Sequence, residues 1–234
     1  MINKLIKIDN LCKSYKYRNI KFPILENTKF EIKENEIISI IGPSGVGKST
    51  FLNLVGLLDS FDSGEYYFDE INVQKLTKQE KNKFRNIYIG FIHQFFHLIP
   101  ELTILENVAL PKMIKDDNKK ESYEYAKFLL ETFMLQDRIN FKPTYLSGGE
   151  QQRVAIARAL INKPKIIIAD EMTGNLDEET ADNVFEFFIT EIKKNKQTLI
   201  YATHNNKYAN KAKIKLELTQ KKLKNHDQRS FYSS

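Results

Sequence analysis

Hydrophobic and polar residues alternate along the start of the chain in patterns typical of β-strands. Residues 2–8 alternate, and a second alternating stretch spans Phe22–Ile32, so the two predict a small antiparallel sheet. The run Ile37–Ile41 is short and rich in β-branched side chains, which is typical of a parallel strand covered on both faces. From Lys48 to Leu58 the apolar residues recur at helical spacing, so a helix is predicted there.

The second half of the chain continues with predicted helices and strands. A helix is predicted from Ser147 to Ile161, because two glycines follow a serine and apolar residues recur beyond them. β-Branched runs predict strands at Lys165–Ala169 and Thr198–Ala202. Short buried strands between helices indicate an α/β domain.

A lysine-rich segment, residues 112–145, carries aromatic and aliphatic side chains at helical spacing and predicts a helical insertion. Pro111 and Pro143 are expected to mark its ends, because proline interrupts a helix. After about Leu218 we expect a weakly packed tail.

The positive charge of the chain is concentrated at its C-terminal end. Thirty-six Lys and Arg against thirty Asp and Glu give a formal net charge of +6, and residues 211–234 hold seven basic and two acidic side chains. The rest is nearly neutral, which argues against the basic face that nucleic-acid binding requires. A single cysteine, Cys12, excludes an internal disulfide, so a reducing compartment is expected. No apolar run approaches the roughly 20 residues of a membrane-spanning helix, so a membrane role is expected to require a partner.

A glycine-rich loop joins the predicted strand Ile37–Ile41 to the following helix. Its residues have the Gly-x-x-x-x-Gly-Lys-Ser spacing of a phosphate-binding loop: Gly42, Pro43, Ser44, Gly45, Val46, Gly47, Lys48 and Ser49, followed by Thr50. Glycines let successive backbone N–H groups turn inward toward phosphate oxygens, and the helix N-terminus adds a positive dipole. We expect Lys48 to reach the β- and γ-phosphates of a nucleotide and the Ser49 hydroxyl to bind Mg²⁺.

Two carboxylates follow the predicted strand Lys165–Ala169. Because the carboxyl ends of parallel strands line the ligand crevice, Asp170 is expected to join the Mg²⁺ site. Glu171 is then expected to orient or deprotonate a water beside the γ-phosphate. An apolar strand that ends in Asp is common, so this interpretation depends on the phosphate loop elsewhere in the chain.

A third motif opens the predicted helix at Ser147, and its residues are Leu146, Ser147, Gly148, Gly149, Glu150 and Gln151. A serine N-cap followed by two glycines is by itself a second potential anion site. Beside a phosphate loop, the motif closely resembles the signature of ATP-binding-cassette (ABC) ATPases. Further residues resemble that family's motif positions in the same order along the chain: Tyr15, Gln94, Asn175-Leu176-Asp177 and His204. The resemblance covers residues 5 to about 210.

The resemblance implies an α/β fold of the P-loop NTPase class, with a mainly parallel core sheet, a small antiparallel β subdomain and a helical subdomain at about residues 95–150. It implies a single nucleotide-binding domain over residues 1–234. The basic composition of the chain from about residue 219 independently predicts a flexible tail. The resemblance also implies that ATP and Mg²⁺ are bound and that the activity is ATP hydrolysis coupled to transport.

The family's site roles fall on matching positions of this chain. Tyr15 would stack on adenine, with Tyr17 as a rival. Gln94 would contact Mg²⁺ and the attacking water, and His204 would contact the γ-phosphate. The family usually has proline after the catalytic glutamate, where this chain has Met172, so a looser water-positioning turn is expected.

In this family two chains face each other head to tail, so the resemblance implies a homodimer. Ser147, Gly148 and Gly149 of one subunit would cover the ATP held by Lys48 of the other. Asp177 would help to pair the two halves.

Three stretches resemble one branch of the family, which contains the lipoprotein-releasing ATPases, the macrolide exporters and the cell-division ATPase: Asn53–Asp59, Gly90–Pro100 and Leu102–Pro111. The aromatic segment Phe95–Leu98 is closest to the lipoprotein-releasing ATPases, and it would receive a short helix from an integral inner-membrane permease. The resemblance therefore implies a peripheral subunit at the cytoplasmic face of a bacterial inner membrane. It would power lipoprotein release towards the outer membrane, without nucleic acid and without inserting into the bilayer itself.

Three alternatives stay open at this point. A macrolide-exporter-like or cell-division complex would use a similar cassette, although macrolide exporters typically carry fused membrane segments. An ABC ATPase that acts on DNA or ribosomes would resemble tandem cassettes, or a cassette split by a long coiled coil. A regulatory cassette that binds ATP mainly to clamp a membrane complex is disfavoured by the complete set of catalytic residues.

Overall fold

A computed structural model describes residues 4–18, 20–116 and 118–226. The strands in these ranges are β1 (Lys4–Tyr17), β2 (Ile20–Lys33), β3 (Ile37–Ile41), β4 (Ser63–Phe68), β5 (Ile71–Asn72), β6 (Ile89–Ile92), β7 (Ile166–Asp170), β8 (Thr198–Ala202), β9 (Ile214–Thr219) and β10 (Lys222–Asn225). The α-helices are α1 (Lys48–Val55), α2 (Lys78–Tyr88), α3 (Ile104–Asp116), α4 (Lys119–Thr132), α5 (Gly148–Leu160), α6 (Glu178–Lys194) and α7 (Asn206–Ala209). The chain divides into two compact units: the first unit runs up to Lys81 and resumes at Lys196, and the second unit is Asn82–Asn195.

An antiparallel sheet with the strand order β2-β1-β4-β5 forms one part of the first unit. β1 and β2 pair over most of their length, with Ile8 opposite Phe30. Ile6 and Ile8 of β1 are fully buried, because the alternation of the sequence places them on one side of the strand. A register shift between Ile8 and Leu11 interrupts the alternation, and Leu11 is fully buried beyond it. The antiparallel sheet predicted from the sequence is confirmed, and β1 extends beyond the alternating stretch.

Parallel strands carry the phosphate loop in the same unit. β3 pairs in parallel with both β8 and β9, so that Ile38 lies opposite Ile200 on one side and Ile214 on the other. The side chains of β8 are all buried and those of β3 are largely so, as their β-branched composition predicts. The chain therefore leaves β3 and β8 at the same, carboxyl edge of these strands.

The weakly packed tail predicted after Leu218 begins instead with an ordered hairpin of β9 and β10. Leu218 is fully buried in β9, and Lys222–Asn225 form β10, antiparallel to β9. The Glu26 N–H donates to the Lys221 carbonyl oxygen at 2.9 Å, which ties the turn between these strands to β2. The hydrophobic pattern of the sequence gives no signal for β10, because its side chains are mostly polar and backbone hydrogen bonds to β9 hold the strand. The rest of the predicted tail, residues 227–234, lies outside the described residues.

The second unit combines two parallel strands with a group of packed helices. β6 pairs with β7, with Ile92 opposite Ala169, and a Cβ at Gly90 would lie 2.4 Å from the Ala159 carbonyl oxygen. Only glycine therefore allows α5 and the strands to approach so closely. α3, α4 and α5 pack against one another, and α5 also packs against α6. Within the described ranges, none of the helices combines the length and the apolar character that a bilayer crossing requires.

Pro111 lies inside α3, so the helix boundary predicted there is wrong. A proline removes one backbone N–H from a helix and typically costs about 3 kcal/mol. The packing of α3 against α4 and α5 overrides this local preference. The Pro111 carbonyl oxygen also accepts a hydrogen bond from Asn162 Nδ2 at 3.2 Å.

Candidate functional site

The phosphate loop begins where β3 ends and closes at the first residue of α1. Its glycines have positive φ angles, 151° at Gly42, 75° at Gly45 and 109° at Gly47. Side-chain-bearing residues rarely adopt such angles, and positive-φ turns are the backbone pattern of anion-binding nests. A Cβ at Gly42 would also lie 2.6 Å from the Leu218 carbonyl oxygen. Glycine at this position is therefore required by space as well as by conformation.

Lys48 is the buried cation of this loop. Its Nζ donates to the carbonyl oxygens of Gly42 at 2.9 Å and Pro43 at 3.1 Å. The next residue, Ser49, is exposed on the first turn of α1, and Thr50 is half-buried. A phosphate group entering the loop therefore meets a preplaced ammonium group and an exposed hydroxyl.

His204 lies at the same sheet edge as the phosphate loop. It follows β8, the parallel neighbour of β3, and it is exposed. The Thr203 N–H donates to the Ile40 carbonyl oxygen at 3.1 Å, and the Asn205 N–H donates to Thr203 Oγ1 at 3.0 Å. The backbone on both sides of His204 is therefore held in place next to the loop that carries Lys48.

Tyr15 lies in the antiparallel sheet of the first unit and is 44% exposed. Its hydroxyl donates to Asp59 Oδ2 at 2.9 Å, and Lys13 Nζ lies 4.8 Å from its ring centroid. The rival Tyr17 is 63% exposed, and the guanidinium carbon of Arg18 lies 5.4 Å from its ring centroid. A residue distant in sequence thus holds Tyr15, and nothing in the sequence analysis singles out Asp59 for this contact.

Asp170 and Glu171 lie at the carboxyl end of β7 in the second unit. Gln94 follows β6, the parallel neighbour of β7, so Gln94 and Asp170 lie at the same edge of these two strands. Carboxylate and amide oxygens are hard donors of the kind that Mg²⁺ prefers. The sequence predicts this juxtaposition of Gln94 with the acidic pair only through the family resemblance.

The turn after β7 holds Glu171 in a left-handed conformation, with φ of 42°. Its carbonyl oxygen accepts a hydrogen bond from the Gly174 N–H at 2.9 Å. Non-glycine residues rarely hold this conformation, and such strain concentrates at functional sites. Met172, where the family usually has proline, is buried, so side-chain packing restrains the turn that a proline ring would otherwise stiffen.

The signature motif forms the N-terminus of α5. Ser147 and Glu150 form a capping box, in which Ser147 Oγ accepts from the Glu150 N–H at 3.3 Å and Glu150 Oε2 accepts from the Ser147 N–H at 2.8 Å. Burial acts to raise the pKa of Glu150, but the bonds with Ser147 and the charge of Arg138 hold it below its usual value. A Cβ at Gly149 would lie 2.5 Å from Thr180 Cγ2, so glycine is needed where α5 meets α6.

The segment after the acidic pair connects the other predicted residues of the second unit. Asn175 Nδ2 donates to the Gln94 carbonyl oxygen at 2.8 Å. The Leu176 side chain lies 3.1 Å from the position that a Cβ on Gly148 would occupy. Asp177 is the N-cap of α6 and accepts a hydrogen bond there. The segment Asn175–Asp177 therefore bonds to Gln94, lies close to Gly148 and caps α6, all within the second unit.

The aromatic segment Phe95–Leu98 follows β6. Phe95 is 64% exposed, whereas Phe96 is half-buried. Arg158 of α5 holds the backbone of this segment, because its guanidinium donates to the carbonyl oxygens of Phe96 at 2.7 Å and His97 at 2.6 Å. No sequence motif predicts this role of Arg158, whose local signal is a charged residue inside an otherwise apolar stretch of α5.

His93 is packed beneath this segment. Its ring stacks on Phe91 with centroids 4.3 Å apart and meets His97 edge-on at 4.8 Å. Burial lowers the pKa of His93 to about 4, and His97 and Arg158 act in the same direction. The imidazole is therefore neutral near pH 7.

The predicted site residues fall into two groups, one in each unit. The first unit holds Tyr15, Gly42–Thr50 and His204. The second unit holds Gln94, Ser147–Gly149, Asp170, Glu171 and Asp177. In each unit, the residues expected to contact the phosphates or the metal lie at the carboxyl edge of parallel strands.

Comparison with known proteins identifies the family. The family model described as ABC transporter matches residues 25–174. Over 97% of its length, the chain is 43% identical to the lipoprotein-releasing system ATP-binding protein LolD of Buchnera aphidicola subsp. Acyrthosiphon pisum, and it covers 100% of that protein. Over 95% of its length, it is 41% identical to the protein of the same name from Colwellia psychrerythraea, of which it covers 86%.

A solved structure also matches the fold. It is described as the dimeric structure of a post-hydrolysis state of the ATP-binding cassette MJ0796 bound to ADP and Pi. The TM-score is 0.86 at 39% sequence identity, and the match covers 94% of this chain and 96% of that chain. The predicted fold class, a P-loop NTPase with parallel core strands, an antiparallel β subdomain and a helical subdomain, is confirmed. The chain therefore belongs to the ABC transporter family, as one of its ATP-binding subunits.

Proposed function

We propose that this chain is the ATP-hydrolysing subunit of an inner-membrane transporter that releases lipoproteins towards the outer membrane. The observation that carries the proposal is its similarity, over nearly the whole chain, to relatives named lipoprotein-releasing system ATP-binding proteins. Residues in each unit support ATP hydrolysis. The first unit carries a phosphate loop with a buried lysine, and the second unit carries an acidic strand end.

Nucleotide binding is assigned to the first unit. The loop Gly42–Thr50 wraps the β- and γ-phosphates, where backbone N–H groups and the Lys48 ammonium offset the negative charge. Tyr15 stacks on adenine, and base–aromatic stacking of this kind contributes about 1–3 kcal/mol. His204 contacts the γ-phosphate from the strand next to the loop.

The donor set fits Mg²⁺, a hard cation that prefers oxygen ligands. The Ser49 hydroxyl, the Gln94 amide oxygen and the Asp170 carboxylate are assigned as its protein ligands, and the phosphates of the substrate supply others. When bound, the ion neutralises the charge that develops on the transferred phosphoryl group.

Glu171 is assigned as the general base of hydrolysis. It accepts a proton from the water that attacks the γ-phosphorus in line with the β–γ bridging oxygen. A bond from phosphorus to the water oxygen forms, the bond to the bridging oxygen breaks, and ADP and phosphate result. Gln94 and His204 orient the water and the γ-phosphate, so positioning and charge stabilisation supply most of the rate.

The catalytic assembly is a homodimer of two such chains facing head to tail. Ser147, Gly148 and Gly149 of one subunit cover the ATP held by Lys48 of the other, and Asp177 contributes to pairing. The N-terminus of α5 suits this task, because a helix N-terminus attracts anions and the Ser147 residue is exposed there.

The aromatic segment Phe95–Leu98 is assigned as the surface that binds the permease, at the cytoplasmic face of the inner membrane. Phe95 offers an exposed apolar side chain, and Arg158 holds the backbone beside it. The hydrogen bond from Asn175 to the Gln94 carbonyl oxygen connects this region to the acidic strand end. A change at Gln94 on nucleotide binding would therefore be transmitted to the neighbouring residues that bind the permease.

Reconstitution with the permease tests the proposed function. The chain and its co-purifying integral membrane subunits, placed in proteoliposomes that contain a lipoprotein, are expected to release the lipoprotein when ATP is added. Phe95→Asp is expected to abolish co-purification, because a charge replaces an exposed apolar contact. Phe128→Asp is the matched control, since Phe128 is also an exposed phenylalanine of the second unit. Recovery of ribosomes or DNA in place of a permease contradicts the proposal.

A further inference from the structure

The part of β1 that leads to Tyr15 contains a buried lysine. Lys13 is only 7% exposed, and its Nζ donates to Asp59 Oδ1 at 2.8 Å and to the Ser60 carbonyl oxygen at 2.6 Å. A buried ammonium group is stable only when paired and hydrogen-bonded. The loop that follows α1 therefore supplies the partner that lets this strand keep a lysine on its buried side.

Asp59 binds the tyrosine as well as the lysine. One carboxylate thus accepts hydrogen bonds from the Tyr15 hydroxyl at 2.9 Å, the Lys13 ammonium and the Ser60 N–H at 2.7 Å. Burial acts to raise the pKa of Asp59, but these three bonds hold it below its usual value. The acceptor is therefore an ionised carboxylate, and hydrogen bonds to charged acceptors are the stronger kind.

The same contacts restrict the Tyr15 ring at two points. Its hydroxyl is fixed by Asp59, and Lys13 Nζ stands 4.8 Å from its centroid in a cation–π contact. The ring is 44% exposed, so it still presents surface to a ligand. An aromatic ring held in one orientation before binding loses less conformational freedom when a base stacks on it.

We propose that Asp59, with Lys13, is a positioning residue that holds Tyr15 in the orientation in which it stacks on adenine. This inference rests on the proposed function, in which Tyr15 is the adenine platform. Asp59 is also tied to α1, because its N–H donates to the Asn53 carbonyl oxygen at 3.3 Å. The helix whose N-terminus carries the phosphate loop therefore also anchors, beyond its C-terminus, the residue that holds the base platform.

The same loop offers a matched control. Asp62 accepts a hydrogen bond from the Ser14 hydroxyl and forms an ion pair with Lys21 at 3.7 Å. Its N–H donates to the Cys12 carbonyl oxygen at 2.8 Å. It therefore holds the same part of β1 as Asp59 does, through neighbouring residues. A variant at Asp62 removes a carboxylate from this loop without removing the contact to Tyr15.

The experiment compares MgADP, which carries adenine, with inorganic pyrophosphate, which has no base. The dissociation constants of MgADP and of inorganic pyrophosphate are measured on the full chain for Tyr15→Ala, Asp59→Asn and Asp62→Asn. Tyr15→Ala is expected to weaken MgADP about tenfold or more, in line with the loss of one base–aromatic stack. Asp59→Asn is expected to weaken MgADP about threefold to fivefold, as expected for loss of one charge-assisted bond that acts indirectly. Pyrophosphate affinity is expected to stay unchanged in both, and Asp62→Asn is expected to bind both ligands like the unmodified chain.

Tyr15→Phe probes the contact without disturbing the buried lysine. It removes only the hydroxyl, so its effect on MgADP is expected to match that of Asp59→Asn, and the double variant is expected to be no weaker than either single one. If Asp59→Asn and Tyr15→Phe both bind MgADP normally while Tyr15→Ala does not, the positioning role of Asp59 is overturned, and Tyr15 remains the residue that stacks on adenine. Equal weakening of MgADP and pyrophosphate by Asp59→Asn overturns the positioning role too. If Tyr15→Ala itself binds MgADP normally, Tyr15 does not stack on adenine, and the positioning role of Asp59 is overturned as well.

Discussion

The phosphate loop and the aromatic segment Phe95–Leu98 are held in place by different means. The loop is shaped by positive-φ glycines, and its lysine bonds to carbonyl oxygens of the loop itself. The aromatic segment is held from outside, by Arg158 on a helix about sixty residues further along the chain. The loop also buries its cation, whereas the segment exposes Phe95.

This difference shows which part of the site depends on local sequence and which on tertiary structure. The shape of the phosphate site depends mainly on glycines at fixed spacing in the local sequence, because the backbone itself is the ligand-binding group. A surface for a protein partner depends on which side chains the surrounding fold leaves exposed. We therefore expect substitutions in the loop to act on nucleotide binding, and substitutions around the segment to act on stability and partner binding.

The largest effect on ligand binding is expected for Lys48→Ala. Removing the ammonium deletes a charge-assisted contact to the phosphates, so ATP affinity should fall by about a hundredfold or more. Titration with MgATP measures this, with Lys29→Ala as control, because Lys29 is exposed on β2. Unchanged ATP affinity in Lys48→Ala would remove the loop from the nucleotide site.

A smaller effect, on stability, is expected for Arg158→Met. The methionine keeps much of the side-chain volume but leaves two carbonyl oxygens without their donors, which should lower the free energy of unfolding by about 2 kcal/mol. Urea unfolding measures the difference. Arg138→Met is the control, since the pair of Arg138 with Glu150 is partly exposed and surface pairs contribute about 0–1 kcal/mol. ATP affinity should be unchanged in both variants, and equal stability of the two would contradict the role given to Arg158.

An effect that is absent near neutral pH and develops only in acid is expected at His93. Its pKa is about 4 in the folded chain, against 6.5 ordinarily, so the unfolded chain binds a proton that the folded chain does not. Stability should therefore fall as the pH drops from about 6.5 towards 4. His93→Gln should flatten this part of the curve of melting temperature against pH. An unchanged slope would show that His93 is not buried in the neutral form.

The sequence predicts the elements whose signals are local. The run of β3, the loop and α1 follows from β-branched residues, glycine spacing and helical periodicity, and the Ser147 cap of α5 is visible as a serine before two glycines. Pro111 misleads the prediction because the packing of α3 outweighs the cost of one proline. β10 is missed because backbone pairing, which leaves no apolar pattern, forms it.

The contacts missed at the candidate site share one property. Asp59 meets Tyr15 across 44 residues, and Arg158 meets Phe96 across 62, so no short motif contains either pair. A charged residue on the buried side of a strand, as at Lys13, is the kind of signal that predicts a distant partner. It does not say which carboxylate that partner is.

The most direct test of the proposed function is the rate of phosphate release by Glu171→Gln, measured for the chain alone and with its permease. General-base catalysis contributes about 10²–10⁴-fold, so hydrolysis should fall at least a hundredfold while MgATP affinity is kept. Glu178→Gln, an exposed glutamate in the first turn of α6, should hydrolyse ATP at the rate of the unmodified chain. A normal rate of phosphate release by Glu171→Gln would contradict the assignment of Glu171, at the acidic strand end, as the general base.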